Sequence, residues 1–150
     1  MNDLRELYQD MILDHGKRPR NFGKLEGANH EASGYNPLCG DRITVHIKVD
    51  DNIIREIRFE GSGCAISTAS ASLMTEGSKG KTIAEAETLF DKFHNLIISE
   101  VAAPQNAEAL GKLLVFSGVK EFPARVKCAT LPWHTLKAAI HDAQKVVSTE

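Results

Sequence analysis

The chain has 150 residues, of which 42% are hydrophobic and 25% charged, and its formal net charge is −2. These values are ordinary for a soluble globular protein, and the length predicts one domain over residues 1–150. The small net charge argues against a dedicated nucleic-acid binder, which would carry a basic footprint. The sequence has no apolar signal core at its N-terminus and no stretch of membrane-spanning length, so we expect a cytoplasmic location without a membrane partner.

The first part of the chain predicts a helix followed by a loop. Residues 3–15 carry apolar side chains at helical spacing, and Pro19 prevents the helix from continuing. Glycine-containing loop sequence follows, with a short strand predicted near residues 31–35. A small basic cluster surrounds the proline: Lys17, Arg18 and Arg20. Such a cluster is either a solvated loop or a docking patch for an acidic partner.

An alternating pattern then marks two strands. Apolar and polar residues alternate over 43–49 and again over 53–60, with a turn at 50–52 between them. The two strands therefore form a hairpin in an antiparallel sheet that is covered on one side only. His46 alternates with the apolar residues, so we expect it to face outward.

Helices dominate the rest of the sequence. Small residues after Cys64 predict a helix to about residue 76, and a capping-box pattern at Thr82 begins another that runs to about residue 98. A short helix is predicted over 107–116. The last helix is predicted to begin at residue 131, with Pro132 in its first turn.

The order of these elements is one helix, a small sheet and then several helices. This order predicts an α+β domain, in which a small antiparallel β-sheet of about three strands packs against several α-helices.

The three cysteines, Cys39, Cys64 and Cys128, all lie in predicted loops. Asp41 follows Cys39 across Gly40, and a glycine allows the sharp bend that aims both side chains at one point. Because the ends of an antiparallel hairpin lie side by side, the hairpin itself brings Cys39, Asp41 and Cys64 together. We expect Cys64 and Cys128 to stand just before helix starts, where free amides favour an anion.

Three thiolates and one carboxylate form a four-ligand set of the kind that zinc prefers. A lone cysteine is commonly a small buried hydrophobe, but the shared pattern of glycines and helix starts favours a common metal or sulfur site. An odd number of cysteines in a reducing compartment also indicates ligands or reactive thiols rather than disulfides. None of the six histidines is placed as a ligand.

Three motifs carry a resemblance to a known family. They are Asn-Pro-Leu-Cys-Gly-Asp at 36–41, Gly-Ser-Gly-Cys-Ala-Ile-Ser-Thr-Ala-Ser-Ala-Ser at 61–72 and Arg-Val-Lys-Cys at 125–128. Together they resemble the U-type iron–sulfur assembly proteins, the IscU/NifU-like family, over essentially the whole chain.

Some departures from the scaffold branch of that family are similar to its SufU branch. The scaffold branch usually has a histidine where this chain has Lys127, and a Leu-Pro-Pro-Val-Lys stretch where this chain has residues 121–127. Its spacing between the second and third cysteines is also shorter than that from Cys64 to Cys128.

The resemblance implies an IscU/NifU N-terminal-like fold and a zinc-dependent sulfurtransferase. Such a protein accepts persulfide sulfur from a SufS-like, pyridoxal-phosphate cysteine desulfurase, activates that enzyme and works with downstream cluster assembly proteins. The implied acceptor is Cys39, which is freed when the partner enzyme offers a histidine to zinc. Asp41, Cys64 and Cys128 would remain as metal ligands.

One neighbouring residue and two other functions remain open at this point. Arg125 is expected to orient Asp41, because arginine pairs well with carboxylates; a plain surface arginine is the alternative. The chain could instead be an IscU-type scaffold for a [2Fe–2S] cluster, or a non-enzymatic zinc-stabilised binding module. Lys127 argues against the scaffold.

Overall fold

The computed structural model describes residues 2–37, 40–98, 111–119, 122–141 and 146–148. Helix α1 (Asn2–Lys17) precedes three strands, β1 (His30–Asn36), β2 (Asp41–Asp50) and β3 (Ile53–Ser62). Then come α2 (Ala65–Ser78), α3 (Ile83–Ile98), a 3₁₀ helix (Gly111–Phe116), α4 (Pro123–Ile140) and the short strand β4 (Val146–Ser148).

The four strands form one sheet in the order β3-β2-β1-β4. The pairs β1–β2 and β2–β3 are antiparallel, so the predicted three-stranded antiparallel sheet is confirmed. Strand β4 adds a fourth, parallel neighbour to β1 that was not predicted. The hairpin turn uses positive φ angles at Asp51 and Asn52, which Asp and Asn tolerate better than most residues.

A register shift between Lys48 and Val49 changes which residues of β3 face the core. Strict alternation predicts Ile53 on the same face as Ile57. Past the irregularity, however, Ile54 is the fully buried residue and Ile53 is partly exposed. One extra residue at such a bulge moves the following side chains to the opposite face.

The core lies between the sheet and the helices. Helix α4 packs against β1 and β2, α2 packs against α4 and β3, and α1 packs against α2. Trp133 stacks on Phe93 with ring centroids 4.7 Å apart, and Phe116 meets Phe93 edge-on at 5.8 Å. These aromatic contacts join α3, α4 and the 3₁₀ helix.

The sequence predicted the start of the last helix wrongly. Helix α4 begins at Pro123, in the first turn where proline is tolerated, and Pro132 lies inside it. An interior proline costs a helix about 3 kcal/mol, but Leu131, Trp133 and Leu136 around it are all buried, and their packing offsets that cost. Cys128 is therefore a residue of the helix and does not stand before its start.

The helices predicted over 3–15, after Cys64 and from Thr82 agree with the structure in type and approximate bounds. The capping box is present: Glu85 N–H donates to Thr82 Oγ1 at 3.1 Å, and Thr82 N–H donates to Glu85 Oε1 at 2.9 Å. The segment predicted as a helix over 107–116 is a 3₁₀ helix from Gly111, and residues 107–110 lie outside the described residues. None of the helices in the described ranges has the length and hydropathy needed to cross a membrane.

Candidate metal and thiol site

The hairpin places Asp41 beside Cys64, as predicted. Asp41 begins β2, and Arg42 pairs with Ser62 at the end of β3, two residues before Cys64. On the other side, Asp41 pairs with Asn36, the last residue of β1. The connection between these strands is closed by a hydrogen bond from Gly40 N–H to Asn36 C=O at 2.8 Å, with Gly40 at φ +73°.

The carboxylate of Asp41 is held at the start of α2. Asp41 is only 1% exposed, and its Oδ1 accepts a hydrogen bond from Cys64 N–H at 2.9 Å. Its Oδ2 lies 3.7 Å from Cys64 Sγ. A Cβ on Gly63 would lie 2.7 Å from Oδ1, so only glycine leaves room for this approach.

Cys64 is the N-cap residue of α2, which confirms the prediction that it stands just before a helix start. Its sulfur accepts a hydrogen bond from the backbone N–H of Ser67 at 3.4 Å. The first amides of the helix and the positive end of its dipole make this position favourable for an anionic group. The side chain is half-buried, so the sulfur lies at the edge of the domain.

Cys128 reaches the same place from α4. Its side chain is fully buried, and Sγ lies 3.8 Å from the Ala124 carbonyl oxygen one turn earlier. One oxygen of Asp41 and the sulfurs of Cys64 and Cys128 all lie within 4.8 Å of one another. Within the described ranges, this is the one group of three such side chains close enough to share a metal ion.

Cys39, the fourth predicted ligand and the predicted sulfur acceptor, lies outside the described residues. Its neighbours Pro37 and Gly40 are exposed and belong to the connection that leads into Asp41. Its roles therefore stay predictions.

Arg125 lies one turn before Cys128 on α4 and interacts with both cysteines. A hydrogen bond to Cys128, followed by the negative charge of Cys64, raises the pKa of the Arg125 guanidinium above its ordinary value. Arg125 is exposed, and an arginine is always charged in proteins. It therefore places a permanent positive charge beside the thiols. Its predicted pairing with Asp41 stays a prediction.

The donor set fits zinc. With Zn–S bonds of about 2.3 Å and Zn–O bonds of about 2.1 Å, ligand atoms on a tetrahedron lie about 3.6 Å apart. The 3.7 Å between Asp41 Oδ2 and Cys64 Sγ matches that edge. Two sulfurs and one oxygen occupy three positions, and Cys39 is the candidate for the fourth.

His15 and His46 make their contacts away from the group of Asp41, Cys64 and Cys128. His15 is buried on α1, where Nδ1 lies 2.7 Å from Ser72 Oγ. His46 is on the polar face of the sheet, as predicted, but Glu31 and Glu60 flank it at 2.8 and 2.9 Å and cover it.

Two features of the site were missed in the sequence. Gly63 gives Asp41 its space, and the Ser67 amide binds Cys64 Sγ. The signal for the first is the pair of glycines before Cys64, since glycine often marks a close approach of backbone to another group.

Comparisons with known proteins identify the family of this chain. The sequence model of the family described as the NifU-like N-terminal domain matches residues 7–147 of this chain. The chain belongs to this family. A scaffold protein named IscU from Streptococcus pyogenes is 41% identical over 93% of this chain and 86% of its own length. The zinc-dependent sulfurtransferase SufU of Bacillus subtilis is also 41% identical, over 92% of each chain.

Solved structures of related proteins have the same fold. A crystal structure titled as a putative iron–sulfur cluster assembly scaffold protein for the SUF system, from Fervidobacterium islandicum, superposes with a TM-score of 0.82 and 37% identity. It is matched over 98% of its length by 91% of this chain. A NifU-like N-terminal domain from Brucella abortus, at 23% identity and a TM-score of 0.81, supports the fold alone.

The predicted family and fold are thus confirmed, and the chain is a member of the iron–sulfur cluster assembly scaffold family. The relatives' names divide between scaffold and sulfurtransferase at equal identity, so they do not separate these two activities.

Proposed function

We propose that this protein is a zinc-dependent sulfurtransferase, which accepts persulfide sulfur from a pyridoxal-phosphate cysteine desulfurase and activates that enzyme. The observation that supports this most is that donor atoms of Asp41, Cys64 and Cys128 lie within 4.8 Å of one another, and that Cys39 is only two residues from Asp41 in the sequence. A relative that is 41% identical is named a zinc-dependent sulfurtransferase.

In this proposal Asp41, Cys64 and Cys128 hold the zinc together with Cys39. Zinc has no redox chemistry, and when bound it stabilises the fold and keeps its cysteine ligands deprotonated. The protein's contribution is to fix the carboxylate through the Cys64 amide and to place a positive charge, Arg125, beside the sulfurs.

Sulfur transfer is a thiol–persulfide exchange. The Cys39 thiolate attacks the outer sulfur of the donor enzyme's cysteine persulfide. A new S–S bond forms at Cys39 while the S–S bond on the donor breaks, and the donor cysteine leaves as a thiolate. The outer sulfur keeps its proton, so no oxidant or reductant is consumed.

A scaffold for a [2Fe–2S] cluster is the second candidate, since relatives from Streptococcus pyogenes and Thermotoga maritima are named iron–sulfur cluster assembly scaffold proteins. Such a cluster needs four ligands, usually thiolates or imidazoles. Lys127 offers an ammonium without a lone pair. The carboxylate of Asp41 is a harder ligand, which suits zinc better than an iron–sulfide centre.

Metal content is the first test. Protein purified without added metal should contain one zinc per chain, and Cys64→Ala or Cys128→Ala should lose that zinc together with much of the thermal stability. Cys39→Ala should weaken zinc binding, but its main effect should be loss of sulfur transfer. A fully folded wild-type protein that contains no zinc would contradict the proposal.

Sulfur transfer itself is the second test. After incubation with desulfurase and cysteine, mass spectrometry should find the added sulfur on Cys39, and alanine production by the desulfurase should rise. With ferrous iron added anaerobically, we expect at most a weak, labile cluster. A stable cluster in good yield on zinc-loaded protein, with no gain in alanine production, would favour the scaffold; sulfur found first on Cys64 or Cys128 would overturn the assignment of Cys39.

A further inference from the structure

The rim of the thiol site carries positive charge on two segments. Helix α1 ends beside Cys64, because a Cβ on Gly16 would lie 3.2 Å from the Cβ of Ala65, the next residue after Cys64. Lys17 and Arg18 follow directly and are both exposed. From α4, the exposed Arg125 interacts with the Cys64 and Cys128 sulfurs.

Large apolar side chains are exposed on the same two segments. Leu13 is 50% exposed and lies one turn before Lys17 on α1, where residues four apart are neighbours on the helix surface. Phe122 is 56% exposed and lies three residues before Arg125, at the N-cap of α4. An exposed apolar side chain together with an arginine, at the edge of a reactive site, is typical of a protein interface.

Among the described residues, no carboxylate lies within ion-pair distance of Lys17 or Arg18, although the charge of Arg18 contributes to lowering the pKa of Asp14. Asp14 is engaged by Arg20, with Oδ2 and the guanidinium nitrogen 2.7 Å apart, and Asp41 is buried against the Cys64 amide. Lys17 and Arg18 are thus available to an acidic partner, and the docking patch named as one alternative for this cluster stays a prediction.

A second group of lysines, at the far end of α2, has carboxylates beside it. A groove of about 830 Å³ at the far end of α2 is bordered by Lys79, Lys81, Lys92 and Lys112. Here carboxylates are part of the surface: Lys79 lies 3.3 Å from Glu56, and Lys112 lies 3.9 Å from Glu76. Since α2 has 14 residues, the end of this groove at Lys79 lies about 20 Å from Cys64, and it provides a matched control surface.

We propose that Leu13, Lys17, Arg18, Phe122 and Arg125 form the docking surface for the sulfur-donor protein, and that the occupant is an acidic face with an apolar pocket beside its persulfide cysteine. This inference rests on the proposed function. Charges at the rim of an interface act mainly on encounter and are screened by salt. Lys17 and Arg18 should therefore control how readily the donor binds, while the chemistry of transfer stays with the thiols.

The experiment compares two double variants with the same change in charge, Lys17→Glu/Arg18→Glu and Lys81→Glu/Lys92→Glu. Alanine production by the desulfurase is measured against the concentration of each zinc-loaded protein, at low and high salt. The variant at positions 17 and 18 should need roughly tenfold more protein for half-maximal activation, with the same maximal rate. The control should resemble the wild type. Thermal melting and zinc content are checked first in all proteins.

A third variant tests the apolar part of the surface. Leu13→Ser/Phe122→Ser should also raise the half-saturating concentration, but without changing the response to salt. Unchanged half-saturation in the variant at positions 17 and 18, or an equal rise in the groove variant, would overturn the docking surface.

Direct binding separates this inference from the proposed function. Calorimetric titration of the desulfurase with zinc-loaded wild type and both charge variants measures affinity without any turnover. Wild type that binds tightly but does not activate would refute the proposed activity, while weaker binding of the variant at positions 17 and 18 would still support the docking surface. No binding by the wild type would overturn both.

Discussion

The thiol site and the helical interior of this protein are built by different means. At the site, side chains are brought together by strand ends, glycines and the start of a helix, and the close contacts are polar. In the interior, α3 and α4 are held by buried aromatic rings, with Trp133 stacked on Phe93. The two regions meet along α2, whose first turn binds the carboxylate and thiol and whose middle is fully buried. Ligand geometry and fold stability should therefore be separable by mutation.

Trp133→Ala should have the largest effect on the fold. The ring is buried, and its Nε1 donates to Ser70 Oγ at 3.1 Å, while Ser70 Oγ donates to the Ala129 carbonyl at 2.6 Å. Removing a buried tryptophan typically costs about 3–5 kcal/mol. Urea denaturation of zinc-loaded protein measures this loss. Trp133→Phe keeps the ring stack and should lose clearly less; a loss below about 1 kcal/mol for Trp133→Ala would contradict the role of this ring in the interior.

Gly63→Ala, in contrast, should lower the zinc affinity of the site more than the stability of the fold. The added Cβ would meet Asp41 Oδ1 at 2.7 Å and push the carboxylate away from the Cys64 amide. Because residues that orient a metal ligand typically change affinity by about 10–100-fold, we expect a loss of zinc affinity in that range. Competition with a chromogenic chelator measures it.

Gly118→Ala is the matched control, because a Cβ there would meet no atom within 4 Å. It should keep the zinc affinity of the wild type. Equal affinities for both variants and the wild type would show that the position of Asp41 does not depend on the space at Gly63.

The smallest expected effect is a pH dependence of the free energy of unfolding, which arises from the buried His15 ring. Burial, followed by the charge of Arg20, lowers the pKa of His15 below its ordinary value of 6.5. The folded protein therefore holds this ring neutral where the unfolded chain already binds a proton. The His15 contribution to stability is fully present above pH 6.5 and is lost as the pH falls below it, towards the folded pKa.

His15→Asn removes this titration while keeping a polar group near Ser72. Although the variant should be less stable at neutral pH, its free energy of unfolding should fall less than that of the wild type between pH 7.5 and 5.5. Acid also releases zinc from thiolates, so the two proteins are compared at equal metal content. Parallel pH profiles would show that His15 does not titrate in this way.

The sequence by itself determined the local elements and most of the site. Alternation fixed the hairpin, the capping box began α3, and the pairing of hairpin ends brought Asp41 beside Cys64, because these patterns depend on neighbours in the chain. The tertiary structure alone decided three things. Cys128 lies inside α4, since burial of Leu131 and Trp133 outweighs the cost of Pro132. A bulge after Lys48 buries Ile54, and β4 returns from the far end of the chain to pair with β1. Each depends on packing between residues distant in sequence, for which no local pattern carries a signal.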